Sequence, residues 1–379
     1  MLTIAIPQLY CGASGQKGAY NRQEVGLARA FASLGARAVV FYPDPRLEEP
    51  EVEDLEPGVR VYYCPARTLG VNAFYRSWDL LLREKVDAVH LMGDNSLGVP
   101  GLYRFCRRHR IFFYNQLGVL RSSSENPLAR LISNLLCARN LAIYRRTPTY
   151  AKTPAVADQL RQLRVPCAGV MPVGLDTAII PTIMVSQKEA RAALGLDQNS
   201  RYLLFVGRLD GYKRPLDLVP VLAALPASWK AVVIGDGALA GALDDRLRTA
   251  GLESRCRRIR RLGNTAVQVY YHACDVFLSL NDREIFGMSL LEAMYAGCPP
   301  VARHAPGPDM LIEDGVSGLL TGEDTDAIAA AVQTAALDPA LGPAAQKRIN
   351  EHFLWSNSAE TALAMLAGQG VGRRRNGGR

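Results

Sequence analysis

The sequence predicts an α/β protein made of two Rossmann-like domains. Three observations lead there. Short apolar runs followed by turn residues alternate with segments of helical periodicity. That alternation begins at residue 2 and begins again after residue 200. The length, 379 residues, exceeds one ordinary core and suits two.

In the first series Leu2–Ile6, Ala38–Tyr42, Val59–Tyr63, Ala88–Met92 and Ile111–Tyr114 read as buried strands. Between the first two, Ala19–Leu34 carries Val25, Ala28, Phe31 and Ala32 at helical spacing, and Gly35 closes the helix. A strand–helix–strand opening calls for a parallel sheet. The second series offers Tyr202–Val206, Lys230–Ile234, Ser254–Leu262, Val276–Leu280 and Pro300–Ala302. In such sheets a ligand crevice faces the carboxyl ends of the strands. Met171–Ser186, with Pro172, Gly174 and Pro181, separates the series, and a helix at Gln187–Leu194 opens the second. The expected domains are therefore 1–172 and 173–352. A helix at 353–367 is expected to return to the first domain, and 368–379 to form a basic mobile tail.

Hydrophobic residues make up 49% and charged residues 21%, a globular balance that excludes a disordered chain. No apolar run is long enough to span a bilayer, and MLTIAIPQLY lacks the basic start of a signal peptide, so a cytoplasmic protein is expected. The eight cysteines include no C-x-x-C pair and read as reduced thiols rather than zinc ligands. The formal charge of +8 suits anionic partners such as nucleotides. The arginines are not interleaved with a nucleic-acid reading motif, and no nucleic-acid partner is expected.

The strongest local signal is NDREIFGMSLLEAMYAGCPPVA. A strand ends near Leu280, Gly287 permits a turn, and Ser289–Tyr295 is rich in helix formers. A helix start after a strand and a glycine turn offers unpaired N–H groups to an anion. A diphosphate could sit on the amides of Met288, Ser289 and Leu290. Glu284 before the turn and Glu292 inside the helix would then accept hydrogen bonds from hydroxyls at the two ends of a nucleotide sugar, the sugar and the ribose respectively. The bland alternative makes Glu292 a surface glutamate and Glu284 a partner of the helix dipole.

Glu284-Ile-Phe-Gly-Met-Ser-Leu-Leu-Glu292 resembles the E-x7-E signature of retaining glycosyltransferase family 4. Phe205-Val-Gly-Arg-Leu-Asp-Gly-Tyr-Lys213, Val233-Ile-Gly-Asp-Gly237 and Asp314-Gly-Val-Ser-Gly-Leu319 resemble further landmarks of that family, in the same order. The resemblance implies the GT-B fold, with two Rossmann-like domains and a donor cleft between them. It also implies hexosyl transfer from a UDP- or GDP-sugar to a saccharide or lipid-linked acceptor, as in polysaccharide biosynthesis, with neither metal nor cofactor. Arg208 and Lys213 occupy the family's cationic positions and would stabilise the leaving diphosphate. Gly207, Gly235, Phe286 and Gly287 join the donor-binding set.

The first domain departs from the pattern. Where the family has a Gly-Gly loop, this chain has Gly18 and Ala19, and Ala19 restricts the backbone. Where many members carry a histidine after a central strand, Phe113-Tyr-Asn-Gln116 places Asn115, which can hydrogen-bond but cannot titrate. A front-face displacement, in which the leaving phosphate takes the acceptor proton, tolerates that change. These departures keep open a catalytically silent nucleotide-binding partner of an active transferase; a sugar-nucleotide epimerase of related fold is a separate alternative.

Lesser candidates have plainer readings. His90 reads as a buried histidine with one backbone partner rather than a sugar contact. His304, Gly307 and Asp309 lie in the stretch that borders the donor sugar in the family. Asp324-Thr-Asp326 precedes a helical run, so a helix cap is expected there rather than a metal site. The segments 104–113 and 130–146 interleave arginines with apolar residues. They read as core-facing stripes with solvated basic faces. The alternative is a peripheral contact with an anionic membrane, on its inner face, that meets a lipid-linked acceptor.

Overall fold

The structure is a computed structural model and describes residues 1–11, 22–93, 96–118, 120, 127–181, 183 and 185–372. The chain divides into two compact units, residues 1–176 with 354–379, and residues 177–353.

The first unit is an α/β sheet domain. Its strands are β1 (Thr3–Pro7), β2 (Arg37–Asp44), β3 (Glu51–Glu56), β4 (Val59–Leu69), β5 (Asn72–Tyr75), β6 (Ala88–Leu91), β7 (Phe112–Leu117), β8 (Thr149–Ala151) and β9 (Gly169–Val170). The order is β3-β4-β2-β1-β6-β7-β8-β9, with β5 on β4. All pairs are parallel except β3 and β5 against β4. β1 is buried throughout, as a central parallel strand covered on both faces must be. The helices are α1 (Gln23–Ser33), α2 (Asp79–Arg83), α3 (Val99–Arg108), α4 (Pro127–Tyr144) and α5 (Pro154–Gln162). Thr153 caps α5 through the amide of Val156.

The second unit carries α6 (Gln187–Ala193), capped by the Ser186–Glu189 box. Its sheet holds β10 (Arg201–Val206), β11 (Trp229–Ile234), β12 (Cys256–Ile259), β13 (Val276–Ser279), β14 (Pro300–Arg303) and β15 (Leu319–Thr321), ordered β12-β11-β10-β13-β14-β15 and wholly parallel. The intervening helices are α7 (Leu218–Ala224), α8 (Ala240–Thr249), α9 (Asn264–Ala273), α10 (Met288–Tyr295), α11 (Pro308–Leu311), α12 (Thr325–Leu337) and α13 (Leu341–His352). Leu203, Leu218, Val233, Leu278, Ile328 and Val332 meet in one core. The strand order reverses between β10 and β13, so the crevice of this unit opens at their carboxyl ends.

The last helix, α14 (Trp355–Gly368), belongs to the first unit. Trp355, Ala359, Ala362 and Leu366 are buried at helical spacing, and the helix packs on α1. Seven described cysteines are free thiols, and burial pushes those of Cys64, Cys106 and Cys256 up to about 12. No described helix is long and apolar enough to cross a membrane.

The helix α4 departs from the core-facing reading of its apolar stripe. Asn140, Ile143 and Tyr144 face inward, whereas Leu128, Leu131 and Leu135 are exposed.

Candidate donor site at the strand ends of the second unit

Four strand ends supply the site. After β13 the chain runs through Asn281–Phe286 to Gly287, which caps α10 at φ +94°. That left-handed conformation costs a side-chain-bearing residue and suits glycine. No side chain caps the helix, and its first internal bond runs from Leu291 N to Gly287 O. The amides of Met288, Ser289 and Leu290 therefore have no partner inside the helix, which leaves them for an anion. Met288 and Ser289 are half-buried, while Leu290 and Phe286 are core residues, the latter edge-on to Phe353 at 6.5 Å.

Glu284 is held at both ends. Its carbonyl accepts from Gly307 N at 2.8 Å. One carboxylate oxygen, Oε2, accepts from Lys213 Nζ and from Asn281 Nδ2, the latter at 3.1 Å. Lys213 comes from the loop after β10, and its ammonium also lies 5.7 Å from the Tyr212 ring centre. The pair is largely buried, with side chains 20% and 10% exposed, so the two charges interact more strongly than a surface pair. Arg208 behaves differently: its side chain is 72% exposed and pairs with Asp210 at 3.2 Å. The sequence treats Arg208 and Lys213 as one cationic pair; the structure gives Lys213 a fixed carboxylate and leaves Arg208 reaching into solvent.

Glu292 lies in the second turn of α10, 1% exposed, and accepts from the Tyr271 hydroxyl at 3.1 Å. It is not a surface glutamate. Gly207 and Gly235 serve the backbone: their N–H groups donate to Ile234 O and Ile259 O. A Cβ built on Gly235 would lie 1.8 Å from the Gly207 carbonyl oxygen, so β10 and β11 can end this close only with glycine there. Gly235→Ala is expected to destabilise the second unit by about 3 kcal/mol. Urea unfolding checks this; a parental midpoint would mean the two strand ends are not in contact.

A charge network that the sequence does not reveal supports the same loops. Arg214, left-handed at φ +54°, bonds Asp217 at 2.9 Å and pairs with Asp282. Arg303, 5% exposed at the end of β14, donates to Asp217 at 2.7 Å and to Leu280 O at 3.2 Å. Asp282 sits between Asn281 and Glu284, so the network braces the loop that carries Glu284. Arg214 and Asp217 are close in sequence, but Asp282 lies 68 residues from Arg214 and Arg303 lies 86 from Asp217, and no local pattern links these.

The remaining candidates fall elsewhere. Gly18 and Ala19 lie outside the described residues. Asn115, in the first unit, is fully buried; its amide donates to Thr147 Oγ1 at 2.8 Å and Thr149 Oγ1 at 3.2 Å. Its carbonyl oxygen takes no hydrogen bond among the described residues. His90 is buried, with side-chain rather than backbone partners: Tyr114 at Nδ1 and Gln116 at Nε2. His304 and Asp309 pair with each other at 2.8 Å on the surface. Asp324 caps α12 through Ala327 N at 2.7 Å, as its position before a helical run predicts.

Lys213 paired with Glu284 beside a glycine-capped helix thus forms the candidate site. Residues 186–352 match the family Glycosyl transferases group 1. A D-inositol 3-phosphate glycosyltransferase of Kineococcus radiotolerans is 31% identical over 411 residues, covering 96% of this chain and 93% of the relative. The chain belongs to the group 1 glycosyl transferases. A second D-inositol 3-phosphate glycosyltransferase, from Mycobacterium marinum, is 30% identical over 96% of this chain and 84% of its own. Among solved structures, sucrose-phosphate synthase from Thermosynechococcus elongatus is similar with a TM-score of 0.78 at 20% identity, over 97% of this chain and 99% of that one. HepE from Anabaena, in complex with UDP and glucose, gives 0.73 at 20%, over 97% and 100%. These likenesses show the GT-B fold, two Rossmann-like domains each with a largely parallel sheet.

Proposed function

We propose that this transferase is a retaining enzyme of the family 4 type, moving a hexose from UDP- or GDP-sugar to a saccharide, polyol phosphate or lipid-linked acceptor. It would act in the cytoplasm, in glycan biosynthesis, with neither metal nor cofactor. The observation that carries this reading is the buried Lys213–Glu284 pair beside the free amides of α10. The diphosphate would rest on the amides of Met288 to Leu290, with Lys213 and Arg208 drawing off charge as the bond from the sugar's anomeric carbon to the phosphate oxygen breaks. Glu284 would hold a sugar hydroxyl, and Glu292 the ribose. The acceptor oxygen attacks from the face the phosphate leaves, and its proton passes to a phosphate oxygen. No protein base is needed, which accommodates Asn115.

The relatives' name supports a phosphate-bearing polyol among the acceptors, and the bound UDP, glucose and UDP-glucose of HepE support a UDP donor. Nucleotide release by the purified chain, measured with UDP- and GDP-sugars and acceptors of the three classes, tests the reading. Release that depends on both donor and acceptor is expected. Nucleotide binding without any release would make the chain a silent partner of another transferase.

A further inference from the structure

Residues 95–157 contain ten arginines and lysines and one acidic residue, Glu125. This sixth of the chain thus carries a formal charge of +9, where the whole chain carries +8. The segment forms α3, β7, α4 and β8 of the first unit. On α3 the positive charge lies outward: Val99, Leu102 and Cys106 bury one side, while Arg104, Arg107 and Arg108 on the other are exposed.

Among the described residues of α4 an apolar stripe faces outward. Leu128, Leu131 and Leu135 are 64%, 57% and 66% exposed, and the exposed Ala138 and Ala142 continue the stripe at helical spacing. Arg139 Nη2 and Asn140 Nδ2 donate to Leu97 O and Ser96 O, fixing that level of α4 beside the start of α3. Both helices run antiparallel to the strands they join. The leucines therefore stand up to about 17 Å beyond the start of α3, which cannot cover them.

We propose that the outward face of α3 and α4 docks on an anionic phospholipid bilayer, the leucines entering the headgroup boundary and the arginines meeting lipid phosphates. A basic helix layer with a projecting apolar edge is the amphipathic pattern that suits such a surface. A second copy of this chain is disfavoured as the occupant, because it would bring the same surplus of positive charge to the same face. The inference is independent of the donor chemistry, since its readout is binding and its residues lie outside the donor site.

Co-sedimentation of the full chain with phosphatidylcholine vesicles containing about one third phosphatidylglycerol tests it. Binding is expected, weakened by salt and by omission of phosphatidylglycerol. The triple variant Leu128→Ser, Leu131→Ser, Leu135→Ser should bind at least about tenfold more weakly while keeping UDP-sugar turnover with a soluble acceptor. Removal of residues 373–379, which hold four arginines, should leave binding in place. Parental binding by the triple variant, or binding lost with the tail alone, would overturn the proposal. So would a dimer that the leucine changes dissolve.

Discussion

Lys213→Ala is expected to lower turnover by about a hundred- to a thousandfold, the usual cost of losing one group aimed at charge that develops in the transition state. Lys213 is the half-buried cation of the site, and among the described residues its partner Glu284 has only Asn281 as a second side-chain donor. Removing the ammonium therefore exposes a diphosphate to a carboxylate with no counterion. Glu284→Ala should act differently: handling of the donor sugar falls while nucleotide affinity changes little. Steady-state kinetics with the preferred donor separates the two, provided both variants keep their unfolding midpoints. Parental transfer by Glu284→Ala would remove that residue from the reaction.

The second large effect concerns stability. Gln116 donates through Nε2 to Met171 O and Pro172 O, both at 2.9 Å, so its Oε1 accepts and His90 Nε2 carries the proton. His90 Nδ1 then accepts from the Tyr114 hydroxyl, and the neutral ring is satisfied at both nitrogens. Burial, with Lys152 nearby, lowers its pKa to about 4, against the donor contact with Gln116 that raises it. In the unfolded chain the ring titrates near its ordinary value of 6.5. Between these values the unfolded state binds a proton that the folded state refuses. The stabilisation is complete above pH ~6.5 and is lost as pH falls through about 4. From pH 7 to pH 5 the first unit should lose about 2 kcal/mol from this group alone. Urea unfolding of the parent and of His90→Gln at the two pH values measures it. An equal pH dependence in both would show that His90 is not the cause.

The parallel strands were legible because burial on both faces gives unbroken apolar runs, as in β1 and β10. β3 was not: Glu51–Glu56 is a charged, largely exposed edge strand, and antiparallel. The strands β8, β9 and β15 are two or three residues long, too short to show a period. At the candidate donor site the sequence nominated the glycine turn, Arg208, Lys213, Glu284 and Glu292, since each lies in a local motif. The Arg214–Asp217–Arg303 bracing was illegible because it forms only when three loops meet. The stripe on α4 has a helical period whether it faces a core or solvent, so periodicity could not say which.

Calorimetric titration of UDP and GDP into the parent and into Lys213→Ala bears on the central claim, that Lys213 and the first amides of α10 together hold a diphosphate. One of the two nucleotides should bind the parent, and the variant should bind it at least about tenfold more weakly, the equivalent of about 1.4 kcal/mol. Equal affinity in parent and variant, or no heat from either nucleotide with the folded parent, would contradict it.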